Sequence, residues 1–415
     1  MSINHSRDAQ TRGQAGANQV ATSQDGELFP TVRSGQFNLR RSQNIFMNRS
    51  HRVQVFNSST LPSDGLYHAG SFTDVRIQSA DPLTSMCLRI TITNADAKNS
   101  FVIQPEGVLN FVDHWDILGN NGSQLLERIG SDHNMLAFSE NSPDSYQKYR
   151  SALIGGANPT GGYTIAPLGS MTVYLPIFRS ILCDQELMSA GLLGALVVRT
   201  WWRGPQWVNQ AEAITATSLT ISAFDIVCQT TLYDPARSQA MIARYMTGPR
   251  TDIRYAVPSF QQTIENLVAG QPFTLRLSGV QGLVTSMSLL IRDLTASVYN
   301  PLPIKAVDLL SPSGESLLGG TYTDAVYNNL IYGAQQEVHF GSSQLDLYVC
   351  RIPLSGAMTS HAERKGHVES YVVFNGSHQL RFIPQISTGA HQVTVIYYAV
   401  GMMTIQNGQI STTVS

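Results

Sequence analysis

An all-β chain in which one eight-stranded sandwich is written twice is the fold the sequence predicts. Three observations predict it: short segments with apolar residues at every second position, Gly- and Asn-bearing turn signals between them, and an internal repeat of four collinear blocks. In Leu88-Arg-Ile-Thr-Ile92 the apolar side chains alternate with polar ones, so one face of a strand is buried and the other is not. Leu219-Thr-Ile-Ser-Ala223 and Leu345-Asp-Leu-Tyr-Val349 read the same way. Val393-Thr-Val-Ile-Tyr-Tyr398 is β-branched and aromatic, which favours a strand without alternation. Turns are signalled at Gly119-Asn-Asn-Gly122, Ser311-Pro-Ser-Gly314, Asn375-Gly376 and Asn407-Gly408.

The repeat carries the most information. Asp116-Ile-Leu-Gly-Asn-Asn-Gly-Ser-Gln-Leu-Leu126 matches Asp308-Leu-Leu-Ser-Pro-Ser-Gly-Glu-Ser-Leu-Leu318, a hairpin with Gly at the same point of its turn. Thr84-Ser-Met86 matches Thr285-Ser-Met287, Leu175-Pro176 matches Ile352-Pro353, and Leu219-Thr-Ile221 matches Val393-Thr-Val395. In chain order the offsets are 201, 192, 177 and 174. A steady fall is what loop shortening in a duplicated domain produces. Eight antiparallel strands in two facing sheets is the jelly-roll count. The expected architecture is therefore two tandem eight-stranded jelly-roll sandwiches, a double jelly roll, with a few short helices in loops.

The expected divisions are a basic flexible arm over 1–50, a first jelly roll over 51–234, a linker with a short helix over 235–257, a second jelly roll over 258–404 and a tail over 405–415. Helices are expected at Asp132–Phe138, Asp184–Ala190, Pro235–Met246 and Asp324–Ile331, three opening on Asp as an N-cap and one on Pro in the first turn.

Composition excludes several function classes. Of the 415 residues 42% are hydrophobic, ordinary for a chain that buries a core, but only 13% are charged. An average soluble domain carries roughly 25%, so much of the surface is expected to lie against neighbouring copies. A net charge of −2 argues against bulk nucleic-acid binding. Cys87, Cys183, Cys228 and Cys350 have no metal or redox spacing and read as buried reduced thiols. No apolar run is long enough for a membrane helix, and the first residues lack a signal peptide's apolar stretch, so accumulation in the cytosol of the cell that makes the chain is expected. The sequons at Asn48, Asn57, Asn121 and Asn375 then carry no glycan.

No Gly-x-Ser-x-Gly elbow, phosphate-binding loop or His-Glu-x-x-His helix occurs, so no catalytic residue, cofactor or metal ligand is expected. His361-Ala-Glu-Arg-Lys-Gly-His367 has the wrong spacing for one helix face and reads as a solvated loop. Asp113 and Asp116 read as turn caps at a strand end. Trp201, Trp202 and Trp207 admit a receptor- or glycan-binding spike or adhesin as the alternative function. Neighbouring strand residues point opposite ways, however, so one of Trp201 and Trp202 is expected in the core.

The layout resembles a known family, the double jelly-roll major capsid proteins of the lineage linking tailless internal-membrane phages, adenovirus and the large eukaryotic DNA viruses. The tail Gly401-Met-Met-Thr-Ile-Gln-Asn-Gly-Gln-Ile-Ser-Thr-Thr413 is similar to that of the tectivirus-type phage coat. Leu88–Phe138 and Met171–Ile177 follow the same plan. The resemblance implies a structural, non-enzymatic protein of the virion shell, forming pseudo-hexagonal homotrimers that pack with neighbouring capsomers and with minor capsid and vertex proteins.

The arm is basic, with seven arginines (7, 12, 33, 40, 41, 49, 52) against three acids in residues 1–52. On one reading Arg33, Arg40, Arg41, Arg49 and Arg52 face the particle interior and meet the lipid of an internal membrane or packaged genome; on the other the arm is a solubilising tail or a clamp between subunits.

Overall fold

The computed structural model describes residues 50–58, 70–78, 83–103, 112–132, 163–177, 196–203, 219–232, 251–293, 302–318, 323–324, 349–352, 371–385, 388–407 and 409–414, and isolated positions 243, 247 and 354. They form two β-sandwiches. In the first, one sheet is ordered β1 (Ser50–Asn57), β10 (Leu219–Leu232), β3 (Leu83–Asn94), β8 (Ser170–Ile177). The facing sheet is ordered β2 (Phe72–Ile77), β9 (Leu196–Trp202), β5 (Val112–Gly119), β6 (Gln124–Gly130). A ribbon of β4 (Phe101–Ile103) and β7 (Tyr163–Ile165) stands apart.

The second sandwich repeats this wiring. Its long sheet is ordered β11 (Thr251–Leu267), β19 (Gly389–Gln406), β13 (Gln281–Asp293), β16 (Val349–Ile352), with β17 (Val372–Asn375) also on β13 and β20 (Gln409–Val414) on β19. The facing sheet is ordered β12 (Phe273–Arg276), β18 (Gln379–Pro384), β14 (Ile304–Leu310), β15 (Thr323–Asp324). With the ribbon and the two added strands set aside, both units place their eight strands as 1-8-3-6 facing 2-7-4-5. That arrangement is a jelly roll.

Strand register identifies which residues correspond. Asp116 lies opposite Arg199, and Asp308 lies opposite Arg381. Each fourth strand is bulged at one position, between Val112 and His114 in β5 and between Ile304 and Ala306 in β14. Each third strand is bulged one residue before Ser-Met. β3 skips Thr84 and β13 skips Thr285, so the repeated Thr-Ser-Met marks a bulge. The Thr285 hydroxyl donates to the Tyr398 carbonyl at 3.1 Å, occupying an acceptor on the partner strand.

Two of the four repeat blocks need correcting in register. Met86 pairs with Ile177 and Met287 with Ile352, so Ile352 corresponds to Ile177 and not to Leu175. Ile221 pairs with Ile92 and His391 with Asp293, residues at the Met86/Met287 offset of 201, which gives the last strand's block an offset of 391 − 221 = 170 in place of 174. Alternating strands look alike under small slips, and a two-residue slip leaves every side chain on its own face.

The hairpin block needs no correction. Gly122 has φ 90° and Gly314 φ 88°, with Asn120 and Asn121 also at positive φ. A Cβ on Gly314 would meet nothing within 4 Å and one on Gly122 only Val197 at 3.5 Å. The demand for glycine is therefore conformational. We expect Gly122→Ala and Gly314→Ala each to cost about 1–2 kcal/mol in denaturant unfolding. A variant of wild-type stability would show that its turn does not need the left-handed backbone.

The first sandwich buries Trp115, Ile117, Val198, Trp202, Leu88, Ile226 and their neighbours in one apolar cluster, and the second buries Met287, Leu289, Leu380, Phe382, Val393 and Val395 in another. The clusters are not shut off from each other. Val257, Leu290, Val349, Met403 and Ile405 come from strands of the second unit but belong to the first unit's cluster. From Val284 to Asp293 every residue of β13 is buried, because one face covers its own sandwich and the other faces the first. β19 is buried on both faces for the same reason.

The expected divisions at 257/258 and 404/405 fall inside β11 and β19, and β20 extends the sheet where a tail was expected. Asp324, expected to open a helix, lies in β15. The remainder of that segment, Asp184–Ala190, Pro235–Met246 apart from position 243, and all of Asp132–Phe138 beyond its first residue lie outside the described residues.

Candidate assembly surfaces

The outer face of the β2-β9-β5-β6 sheet carries charge in a row. Asp74, Arg199, Asp116 and Arg128 are directly opposite one another across the four strands. Arg199 donates to both oxygens of Asp74, at 2.8 and 2.9 Å. Arg128 donates to both oxygens of Asp116, at 2.6 and 3.0 Å. Opposite charges facing across strands contribute about 0.2–1 kcal/mol per pair, and two-toothed Arg–carboxylate geometry fixes the side chains. The Asp116 hydrogen bond raises the Arg128 pKa and the Asp74 hydrogen bond raises that of Arg199.

An aromatic row runs beside it. Phe72 and Trp201 have ring centroids 5.0 Å apart, and Trp201 and His114 stack at 5.5 Å. His114 meets Phe260 of β11 at 5.9 Å, so the row crosses from the first sandwich into the second.

Where the sandwiches meet, charges are buried. Arg203 is 7% exposed and donates from Nε to Asp113 Oδ1 at 3.1 Å, while its Nη2 stands 3.9 Å from Asp132 Oδ2. Asp132 also pairs with Arg292, a fully buried residue of β13. The chain Asp113–Arg203–Asp132–Arg292 thus links the two units. It borders a cleft between the units lined by Asp113, Asp132, Arg203, Phe260, Thr394 and Ile396. Buried ion pairs of this kind fix geometry more than they add stability.

Burial would push the Asp113 carboxyl up. The hydrogen bond to His114, 2.8 Å from Nδ1, and the charge of Arg203 outweigh it and bring the pKa down to about 2. A depressed acid stabilises the fold above its ordinary pKa of 3.8 and stops doing so as pH falls through the folded value. We expect the stability gap between wild type and Asp113→Asn to be constant above about pH 4 and to close toward pH 2, by on the order of 2 kcal/mol. A gap independent of pH between those limits would show that Asp113 is not held by these partners.

The bulge explains why Asp113 and Asp116 were legible only as turn caps. Both lie within β5, and apart from His114 beside Asp113 their partners are 12 to 90 residues away. Of the two adjacent tryptophans, Trp202 is core at 1% exposure, its indole N–H donating to Thr73. Trp201 is on the outer face, and its N–H donates to Asp116 Oδ2 at 2.8 Å. With its ring stacked and its N–H engaged, it gives little support to a sugar platform. Trp207 lies outside the described residues, as does His361–His367.

Among the basic residues of the arm, Arg33, Arg40, Arg41 and Arg49 lie outside the described residues. Arg52 is in β1, opposite Thr230. Burial lifts the thiols of Cys87, Cys228 and Cys350 to about 12, so the thiolate form is scarce at neutral pH. Cys183 lies outside the described residues.

No protein-family model matches the sequence, and no curated protein matches it. Solved structures do match in shape. The PBCV-1 protein VP54, fitted into a reconstruction of the virophage Sputnik, superposes with TM-score 0.61 at 8% identity, covering 89% of this chain and 98% of that one. The Faustovirus major capsid protein gives 0.60 at 8% identity, over 86% and 91%. A chain of the PBCV-1 virus capsid gives 0.60 at 10% identity, over 89% and 97%. The fold is the double jelly roll of viral capsid proteins. Coverage of both partners is nearly complete, so the likeness includes the tandem arrangement as well as each sandwich. At such identities the likeness is one of fold and does not extend to particular side chains.

Proposed function

We propose that the chain is a structural major capsid protein whose trimers, hexagonal in outline, tile an icosahedral virion shell. The observation that carries this reading is the full-length match of two like-wired sandwiches to capsid chains of the same plan. Two similar barrels per chain and three chains on a closed axis give six barrels, which fill a hexagonal cell. Low surface charge reduces the desolvation cost of packing such faces together.

Negative-stain microscopy of the purified chain, with light scattering for mass, tests the reading. Hexagonal particles of three times the 45.4 kDa chain mass are expected. A monomer at every concentration, with no lattice, would defeat it. The basic residues Arg33, Arg40, Arg41, Arg49 and Arg52 support an inward role for the arm, toward an internal membrane, the genome or minor capsid and vertex proteins. Deleting residues 1–44 should then lower particle yield or cargo retention, and unchanged values for both would remove that role.

A further inference from the structure

Histidines of the two sandwiches differ in the company they keep. His114 stands 2.8 Å from Asp113. His391 is directly opposite Asp293 across β13 and β19, with its Nδ1 2.7 Å from the Gly389 carbonyl. His378, in the turn between β17 and β18, is 5% exposed, and its Nδ1 is buried without a hydrogen-bond partner. Its ring centroid lies 4.3 Å from that of Phe374.

Nothing around the His378 ring supplies a negative charge. The titratable groups on the strands about it are Arg276 on β12, Arg381 on β18 and Tyr397 on β19, while β17 and residues 281–288 of β13 have none. Burial therefore acts on the imidazole unopposed and lowers its pKa from the ordinary 6.5. The face of Phe374 is a weaker partner for a cation than a carboxylate is. The turn itself is held by few bonds. Leu277 N–H donates to the His378 carbonyl at 2.9 Å, Gly376 N–H to the Val280 carbonyl at 3.2 Å, and Arg276 Nε to the Gly376 carbonyl at 3.4 Å. A ring that leaves its site for water strains all three. β17 depends on them, being four residues long and paired, among the described strands, with β13 alone.

We infer that His378 is an acid-operated latch on the second sandwich, whose protonation opens the turn between β17 and β18 and loosens β17 from its sheet. Neutral, the ring is a core side chain. Charged, it is a buried cation without a counter-ion, and water is the better place for it. A released ring takes up its proton at about 6.5, whereas the buried ring needs a lower pH. The latch is thus at full strength above 6.5 and weakens as pH falls below it, until the buried ring protonates as well. Its position extends its effect. Val284 pairs with Val372 on one side and Ala399 on the other, just before β19 runs on to Met403 and Ile405 in the first unit's cluster. In a coat protein, acid would then act first beside the seam between the sandwiches.

Hydrogen exchange of the full chain tests the latch, read by mass spectrometry at pH 7 and pH 5 and corrected for the intrinsic rate at each. Protection of segment 372–380 should fall several-fold at pH 5, to a limit of about 25-fold for a group that titrates at 6.5 only when released. In His378→Gln, which has no proton to take up, protection should be the same at both pH values. His378→Phe keeps a ring in the site and should behave likewise. Segment 83–94, in the long sheet of the first sandwich, is the control and should not respond. Equal protection of the wild-type segment at the two pH values would overturn the latch. So would an acid response that survives in both variants, or one that the control shares in full. The exchange reads the same in a monomer as in a trimer, so failure of the latch and failure of the coat-protein reading are separate results.

Discussion

Asp132→Ala is expected to destabilise the chain by about 3–5 kcal/mol, read as the shift of the denaturant midpoint at constant slope. The magnitude follows from where its partners are. Arg292 is fully buried and faces Asp132 across the junction of the two sandwiches, and Arg203, nearly as buried, faces it from within the first sandwich. Removing the carboxylate leaves guanidinium charge in a site that water reaches poorly, and that cost far exceeds the net worth of the pair. A domain of ordinary stability has only about 5–15 kcal/mol to lose. Replacing both members, Asp132→Leu with Arg292→Met, should restore most of the loss, because no charge is left behind. The double-mutant cycle therefore has a large coupling energy. The Asp74–Arg199 pair is the internal comparison: its members are 33% and 28% exposed, and Asp74→Ala should cost less than about 1 kcal/mol. Equal losses at Asp132 and Asp74 would mean the junction is as wet as the outer sheet face.

How much of this was legible in the sequence depended on how local the signal is. The hairpin turns could be read because glycine and asparagine at positive φ are chosen by the backbone of the turn itself, as at Asn120, Asn121, Gly122 and Gly314. Thr-Ser-Met was legible as a repeat because it sits on a bulge, which fixes register as well as direction. That one of Trp201 and Trp202 is core and the other is not could be read because strand alternation is local too, although which one could not. β19 was not aligned correctly, since burial on both faces erases the alternation that would pin it. The junction charges were not legible at all. Asp132 and Arg292 are 160 residues apart (292 − 132), and nothing near either one announces the other. A pointer does exist in the repeat. Arg292 and Asp113 are replaced by Thr91 and Lys305 at matching register, and charges present in only one copy of a duplicated fold mark where the copies differ in role.

The other large effect expected is at Ile405, in a strand of the second unit. Ile405 is 1% exposed and Met403 is wholly buried, and both pack in the first unit's cluster. They reach it because β19, paired with β11 as far as Thr251 and with β20 on its other side, runs past the end of its own sandwich. The end of the first jelly roll is therefore closed by strands of the second. Ile405→Ala should cost about 2–5 kcal/mol, the range for truncating a buried aliphatic side chain. Its location gives the measurement unusual resolving power. All four tryptophans, at 115, 201, 202 and 207, belong to the first unit's segment of the chain. Trp115 and Trp202 are in that unit's core. If the two sandwiches share a core, truncating a residue at position 405 lowers the unfolding midpoint seen by tryptophan fluorescence as much as the midpoint seen by far-ultraviolet circular dichroism. For the same reason a fragment ending at 234 should expose its uncapped end and aggregate. A fluorescence midpoint unmoved by Ile405→Ala, with only the dichroism shifted, would mean that each sandwich holds itself together and that the seam between them carries no stability.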